Sequence, residues 1–139
     1  MRTNIIRDEH VTVSYDVVNG WTVVEVDGDV DLRTSPMIRE AVIRLLGEGH
    51  RHFVLDLCFV PFMDSMGLGM VVAITKRIRE HGGSLRITYT PGPIVRVFEI
   101  SGLHATYQIY HSPEEATQRT PSPDGLADWP HSPSVKKGS

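Results

Sequence analysis

One hydroxyl in this chain stands where a strand should turn into a helix. Ser65, in the run Asp64-Ser65-Met66-Gly67-Leu68-Gly69, follows an apolar stretch from Phe53 to Phe62 and precedes Met70, Val71, Val72, Ala73 and Ile74. The first backbone N–H groups of a helix lack intrahelical partners, and its peptide dipoles sum to a partial positive charge. A serine there can cap the helix, and a phosphate placed there is favoured. Gly67 and Gly69 weaken a helix, so their expected reason is the close approach of another backbone or of a partner molecule. Asp29, Asp31 and Asp64 come from two loops and could together hold a hard cation weakly, but capping of helix starts and loop amides is their more ordinary use. A hydrolase elbow needs glycine two residues before its serine, and that residue is Met63. The glycines lack the upstream spacing of a phosphate loop. His50 and His52 flank a strand start without further ligands nearby, so no zinc site is expected. No enzyme motif and no cofactor site emerges, and a small hydrolase using Ser65 is left as a reading that turnover of generic ester substrates would raise.

The elements that must position Ser65 follow from periodicity. Met1 to His10 are polar and mixed in charge and read as a frayed lead-in. Val11 to Val18 and Trp21 to Val26 are β-branched runs separated by Asn19-Gly20, which signals a hairpin. Thr34-Ser35-Pro36 supplies a cap and a first-turn proline for a helix whose apolar stripe is Met37, Ile38, Ala41, Val42, Leu45 and Leu46, with Arg39, Glu40, Arg44 and Glu48 facing away. Phe53 to Leu57 reads as a strand covered on both faces, and Val71, Ile74 and Ile78 mark the helix after Ser65. Leu85, Ile87 and Tyr89 form a further strand, Ile94 to Phe98 a short helix, Thr106 to Tyr110 a last strand, and Ser112-Pro113-Glu114-Glu115 a last helix start.

The predicted fold is an α/β mixed sheet of about five strands with about four helices, an antiparallel hairpin followed by right-handed parallel crossovers. Sites on such sheets form beyond the carboxyl ends of the parallel strands. That placement brings Asp29, Asp31 and Thr34 near Asp64, Ser65 and Met66. Residues 11–118 are read as the domain and 119–139, rich in proline and poor in apolar side chains, as a disordered tail.

At 139 residues and 40% hydrophobic composition the chain can bury the core of one domain. A net charge of −3, with both signs interspersed, argues against nucleic acid or anionic lipid as a main partner. No apolar stretch approaches the roughly 20 residues needed to span a bilayer. The lone Cys58 reads as a small core hydrophobe in a reducing compartment, so a cytoplasmic location is expected.

Phe62-Met63-Asp64-Ser65-Met66-Gly67-Leu68-Gly69, with the earlier Gly28-Asp29-Val30-Asp31 and the later Ser101-Gly102-Leu103, resembles the anti-sigma factor antagonists of the STAS domain family over roughly Val11 to Gln118. The resemblance implies a STAS-like fold. It implies that the serine directly after the aspartate, Ser65, is phosphorylated by a partner that is both a serine kinase and an anti-sigma factor, and that a phosphatase reverses this. It implies a partner surface around Asp29, Asp31, Thr34, Asp64, Met66, Gly67 and Leu68. The family commonly has serine or threonine where this chain has Met66, so one hydroxyl remains in the turn. Phosphate adds about −1.5 to −2 charges, which a helix end tolerates and a docked partner need not. The alternative is an accessory STAS subunit of a stress-signalling or lipid-transport complex in which Ser65 is never modified.

Overall fold

The computed structural model describes residues 2–122. Among them six strands lie side by side in chain order: β1 (Thr3–Arg7), β2 (Val11–Val18), β3 (Trp21–Gly28), β4 (His52–Phe59), β5 (Ser84–Thr88) and β6 (Gln108–Tyr110). The pairs β1–β2 and β2–β3 are antiparallel, and β3 to β6 are parallel. The helices are α1 (Ser35–Gly47), α2 (Ser65–Glu80), α3 (Pro93–Ser101) and the single turn α4 (Pro113–Ala116). The β2–β3 hairpin closes through Asn19 and Gly20, with φ of 53° and 85°. Both values are positive, which is the two-residue turn whose twist matches that of the flanking strands.

The lead-in read as unstructured supplies β1, which makes six strands where about five were expected. Its only apolar residues are the adjacent Ile5 and Ile6, so alternation, the usual mark of a strand, is missing. The β1–β2 register shifts between Asn4 and Ile6. That bulge lets both isoleucines pack on the core.

Helices α1 and α2 lay their stripes on one face of the sheet, Ile38, Val42 and Leu45 beside Val71, Ile74 and Ile78, over Val24, Leu55 and Ile87. Each such side chain contributes about 1.5–3 kcal/mol when buried, more than the about 1 kcal/mol that either glycine of α2 costs its helix. The other face of the sheet is more polar. There Trp21, Val23 and Val54 pack with Ala116 of α4, and the half-buried Tyr110 joins them. Asp56, 1% exposed, accepts hydrogen bonds from Thr88 Oγ1 at 2.9 Å and from the Cys58 amide at 3.0 Å. Burial, with Asp56 close by, pushes the Cys58 thiol up to about 12, so thiolate chemistry is closed to it.

The folded body runs past the boundary expected after Gln118. The indole Nε1 of the fully buried Trp21 donates to the carbonyl of Arg119 at 2.7 Å, and Asn19 Nδ2 donates to that of Thr117 at 2.8 Å. The start of the segment read as a tail therefore caps the second core cluster. The rest of it, 123–139, lies outside the described residues. No helix among the described residues is long and apolar enough to cross a membrane.

Candidate functional site

The two loops that carry the acids are joined by backbone. Beyond the end of β3 the Val30 amide donates to the Phe62 carbonyl at 2.9 Å, and the Asp64 amide returns a bond to the Val30 carbonyl at 3.1 Å. These bonds make a parallel bridge between Val30 and Met63, both buried. The expected meeting of Asp29, Asp31 and Thr34 with Asp64, Ser65 and Met66 is thus built from main chain, where sequence pattern shows nothing.

Inside the first loop Asp31 Oδ1 accepts from the amides of Arg33 at 2.9 Å and Thr34 at 3.0 Å. The Thr34 amide chiefly holds the Asp31 carboxyl below the usual range, with Arg33 adding to it. Thr34 Oγ1 donates to the Asp29 carbonyl at 2.7 Å and accepts from the Asp31 amide at 3.0 Å. With 0% exposure and its hydroxyl engaged on both sides, Thr34 is an internal strut of the turn and not a contact surface.

The cap of α2 is Asp64. Its Oδ1 accepts from the amides of Met66 at 2.9 Å and Gly67 at 3.0 Å, leaving Ser65 as the first helical residue. The capping role open to Ser65 in the sequence therefore falls to its neighbour. Two amides brought to one carboxylate oxygen satisfy the first turn better than a neutral hydroxyl would. Ser65 is exposed, and among the described residues its hydroxyl has no hydrogen-bond partner.

Gly67 is buried. A Cβ on it would stand 2.7 Å from Met63 Cγ, 2.8 Å from Val30 Cγ1 and 3.0 Å from the Val30 carbonyl oxygen. Its glycine character is what lets α2 sit on the bridge, the first of the two reasons expected for it. Burial withdraws it, like Thr34, from any partner surface in this conformation. Asp29 and Met66 are exposed, while Asp31, Asp64 and Leu68 are half-buried, Leu68 packing on the core.

Between α1 and α2 runs an open groove of about 480 Å³, with Leu32, Arg39, Ser65, Met66 and Gly69 among its walls. Its rim carries exposed apolar side chains, Leu32 being 67% and Met66 50% exposed. Sequence reasoning missed Leu32 and sent Arg39 to the outward face. The available signal for Arg39 was spacing, since Ser35, Arg39 and Ile43 recur every four residues and share one side of the first helix, while Leu32, in the turn before it, carried no such signal. Gly69 lies on this groove, and no atom stands within 4 Å of where its Cβ would be. Among the described residues no cluster of acids, histidines and cysteine could hold a metal ion.

Residues 12–116 match the STAS domain family. Over 97 residues the chain is 32% identical to the anti-sigma-B factor antagonist of Bacillus subtilis (strain 168), covering 68% of this chain and 86% of that one. Its fold is similar to that of an anti-sigma factor antagonist from Mycobacterium paratuberculosis, with a TM-score of 0.70, 23% identity, and 81% of this chain and 95% of that one covered. It is similar also to the Bacillus cell fate determinant SpoIIAA in its phosphorylated form, with a TM-score of 0.59, 24% identity, and 75% and 95% of the two chains covered.

Proposed function

Because the chain belongs to the STAS domain family, we propose that it is an anti-sigma factor antagonist switched by phosphorylation of Ser65. Unmodified, it sequesters an anti-sigma factor that is also a serine kinase. Phosphorylated, it lets that partner go, and a phosphatase resets it. Transcription by the partner's sigma factor then rises while Ser65 is bare, and the exchange takes place in the cytoplasm, where ATP and RNA polymerase are. The relatives carry names that describe antagonism and not turnover, in keeping with a binding protein.

The observation that carries this reading is the Ser65 hydroxyl, exposed and without a partner, at the head of α2 beside an apolar groove. Asp64 has taken the capping role, so modification of Ser65 breaks no hydrogen bond of the fold. A kinase would transfer the γ-phosphoryl group of ATP to Ser65 Oγ, forming the O–P bond as the bond to the β-phosphate oxygen breaks and the hydroxyl proton passes to a base. A partner seated over Met66 and Leu32 would then have to desolvate a dianion next to Asp64, a cost of several kcal/mol unless arginines match it.

Incubation with candidate kinase fractions and ATP, followed by mass spectrometry, should place phosphate on Ser65. Binding of the same partner should persist in Ser65→Ala and weaken in Ser65→Asp, partially, since a carboxylate has less charge and fewer acceptor oxygens than phosphate. Equal affinity of Ser65→Ala, Ser65→Asp and the phosphorylated protein would falsify the switch.

A further inference from the structure

Arg39 faces the same groove as Ser65 from the opposite helix. Among the described residues its guanidinium makes no ion pair or hydrogen bond. Its neighbours three and four positions away along α1 are Ser35, Pro36, Val42 and Ile43, none of them acidic, so the helix itself offers it no partner. We propose that, once Ser65 is phosphorylated, Arg39 of the same chain pairs with the phosphate across the groove. The proposal rests on Ser65 being the modified residue and adds how the modified state is held.

Parallel strands joined by successive crossovers make α1 and α2 run in the same direction. The groove is lined from α1 by Ser35 and Pro36 in its first turn, by Arg39 and Glu40 one turn on and by Ile43 a turn further, and from α2 by Ser65 and Met66, by Gly69 and Met70 one turn on and by Ala73 beyond them. Arg39 therefore starts one turn along from Ser65. Helical side chains lean towards the helix N-terminus, which carries a long arginine back over the preceding turn, to the level of Ser65. Gly69, one turn into α2 on the same groove, has open space where a Cβ would be, so it adds no side chain to the wall between Arg39 and the head of α2. Glu40 on α1 and Asp64 on the cap repel a phosphate, and Arg33 in the turn before α1 adds a second cation. Arg39 is the cation on the groove itself.

Guanidinium matches phosphate with paired N–H donors in a fixed fork. The pair would tie the heads of α1 and α2 together over the mouth of the groove, between Leu32 and Met66. Release of the partner then has two causes acting together, repulsion by the dianion and closure of the groove between Leu32 and Met66.

The test needs no kinase, because phosphoserine can be installed at position 65 of the full chain during translation, so it stands or falls separately from the identity of the partner. Phosphorus-31 NMR then follows the second ionisation of the phosphate. In the native chain its pKa should lie about half a unit or more below that in Arg39→Gln, with Arg39→Lys between, since the ammonium keeps the charge and loses the fork. Asp64, Glu40, Arg33 and the helix end are common to all three and cancel. In the native chain the Arg39 Nε–H resonance should also move downfield when phosphate is present. Superimposable titrations would overturn the proposal, and so would a titration difference with an unmoved Arg39 resonance, which would mean a distant field and not a pair.

Discussion

Asp64 closing the start of α2 divides labour between adjacent residues: the carboxylate holds the helix, and the hydroxyl beside it stays available. The two glycines divide labour in the same way, one for the fold and one for the groove, and this can be measured. Gly67→Ala forces a methyl to within 3.0 Å of the Val30 carbonyl and closer still to two side chains. Since the nearest backbone is bridged to the neighbouring loop, little can yield, and a loss of about 1–3 kcal/mol is expected. Gly69→Ala meets nothing within 4 Å and removes a helix-weakening residue, so stability should rise by up to about 1 kcal/mol. Denaturant titrations of the two variants should move in opposite directions. A Gly67→Ala protein as stable as the native one would mean that the bridge shifts freely and does not set the position of α2.

At the scale of elements, α1 and α2 present one continuous rim, and Met66 is its exposed member on the α2 side. The structure separates Met66 from Leu68, which turns inward and packs on the core, so the two belong to different experiments. Met66→Asp should weaken partner binding while shifting the melting temperature little, because a half-exposed side chain at a helix head accepts a carboxylate and the dipole favours it. Calorimetric melts run beside binding measurements decide this, and a large drop in melting temperature would place Met66 among the packing residues. Leu68→Asp should unfold the head of α2 instead, since it buries a charge against the core.

Among the described residues, the sheet's two faces are closed by different parts of the chain, the larger by α1, α2 and α3 and the smaller by α4 and Arg119. Truncation after Gln118, which the sequence marked as harmless, removes the acceptor of the Trp21 indole. A buried donor left unpaired costs about 1–3 kcal/mol, so chemical denaturation of the truncated chain should show a loss of that order. A midpoint equal to that of the full chain would show that water or another carbonyl replaces Arg119. The sequence alone determined the hairpin, the parallel crossovers, the helix stripes, and the turn that carries Ser65, because each is written in local signals: positive-φ turn residues, runs of β-branched residues, apolar spacing of three and four. It determined, too, which hydroxyl stands in that turn. Only the structure decided that Thr34 and Gly67 face inward, that Ile5 and Ile6 join the sheet through a bulge, that Arg39 shares a groove with Ser65, and that Asp64 and not Ser65 is the cap. The cap is a local bond that either of two adjacent cap-forming residues offers, so residue type does not choose between them; the others depend on main-chain bonds or on packing between elements, and periodicity within one segment carries no trace of the neighbour that will cover it.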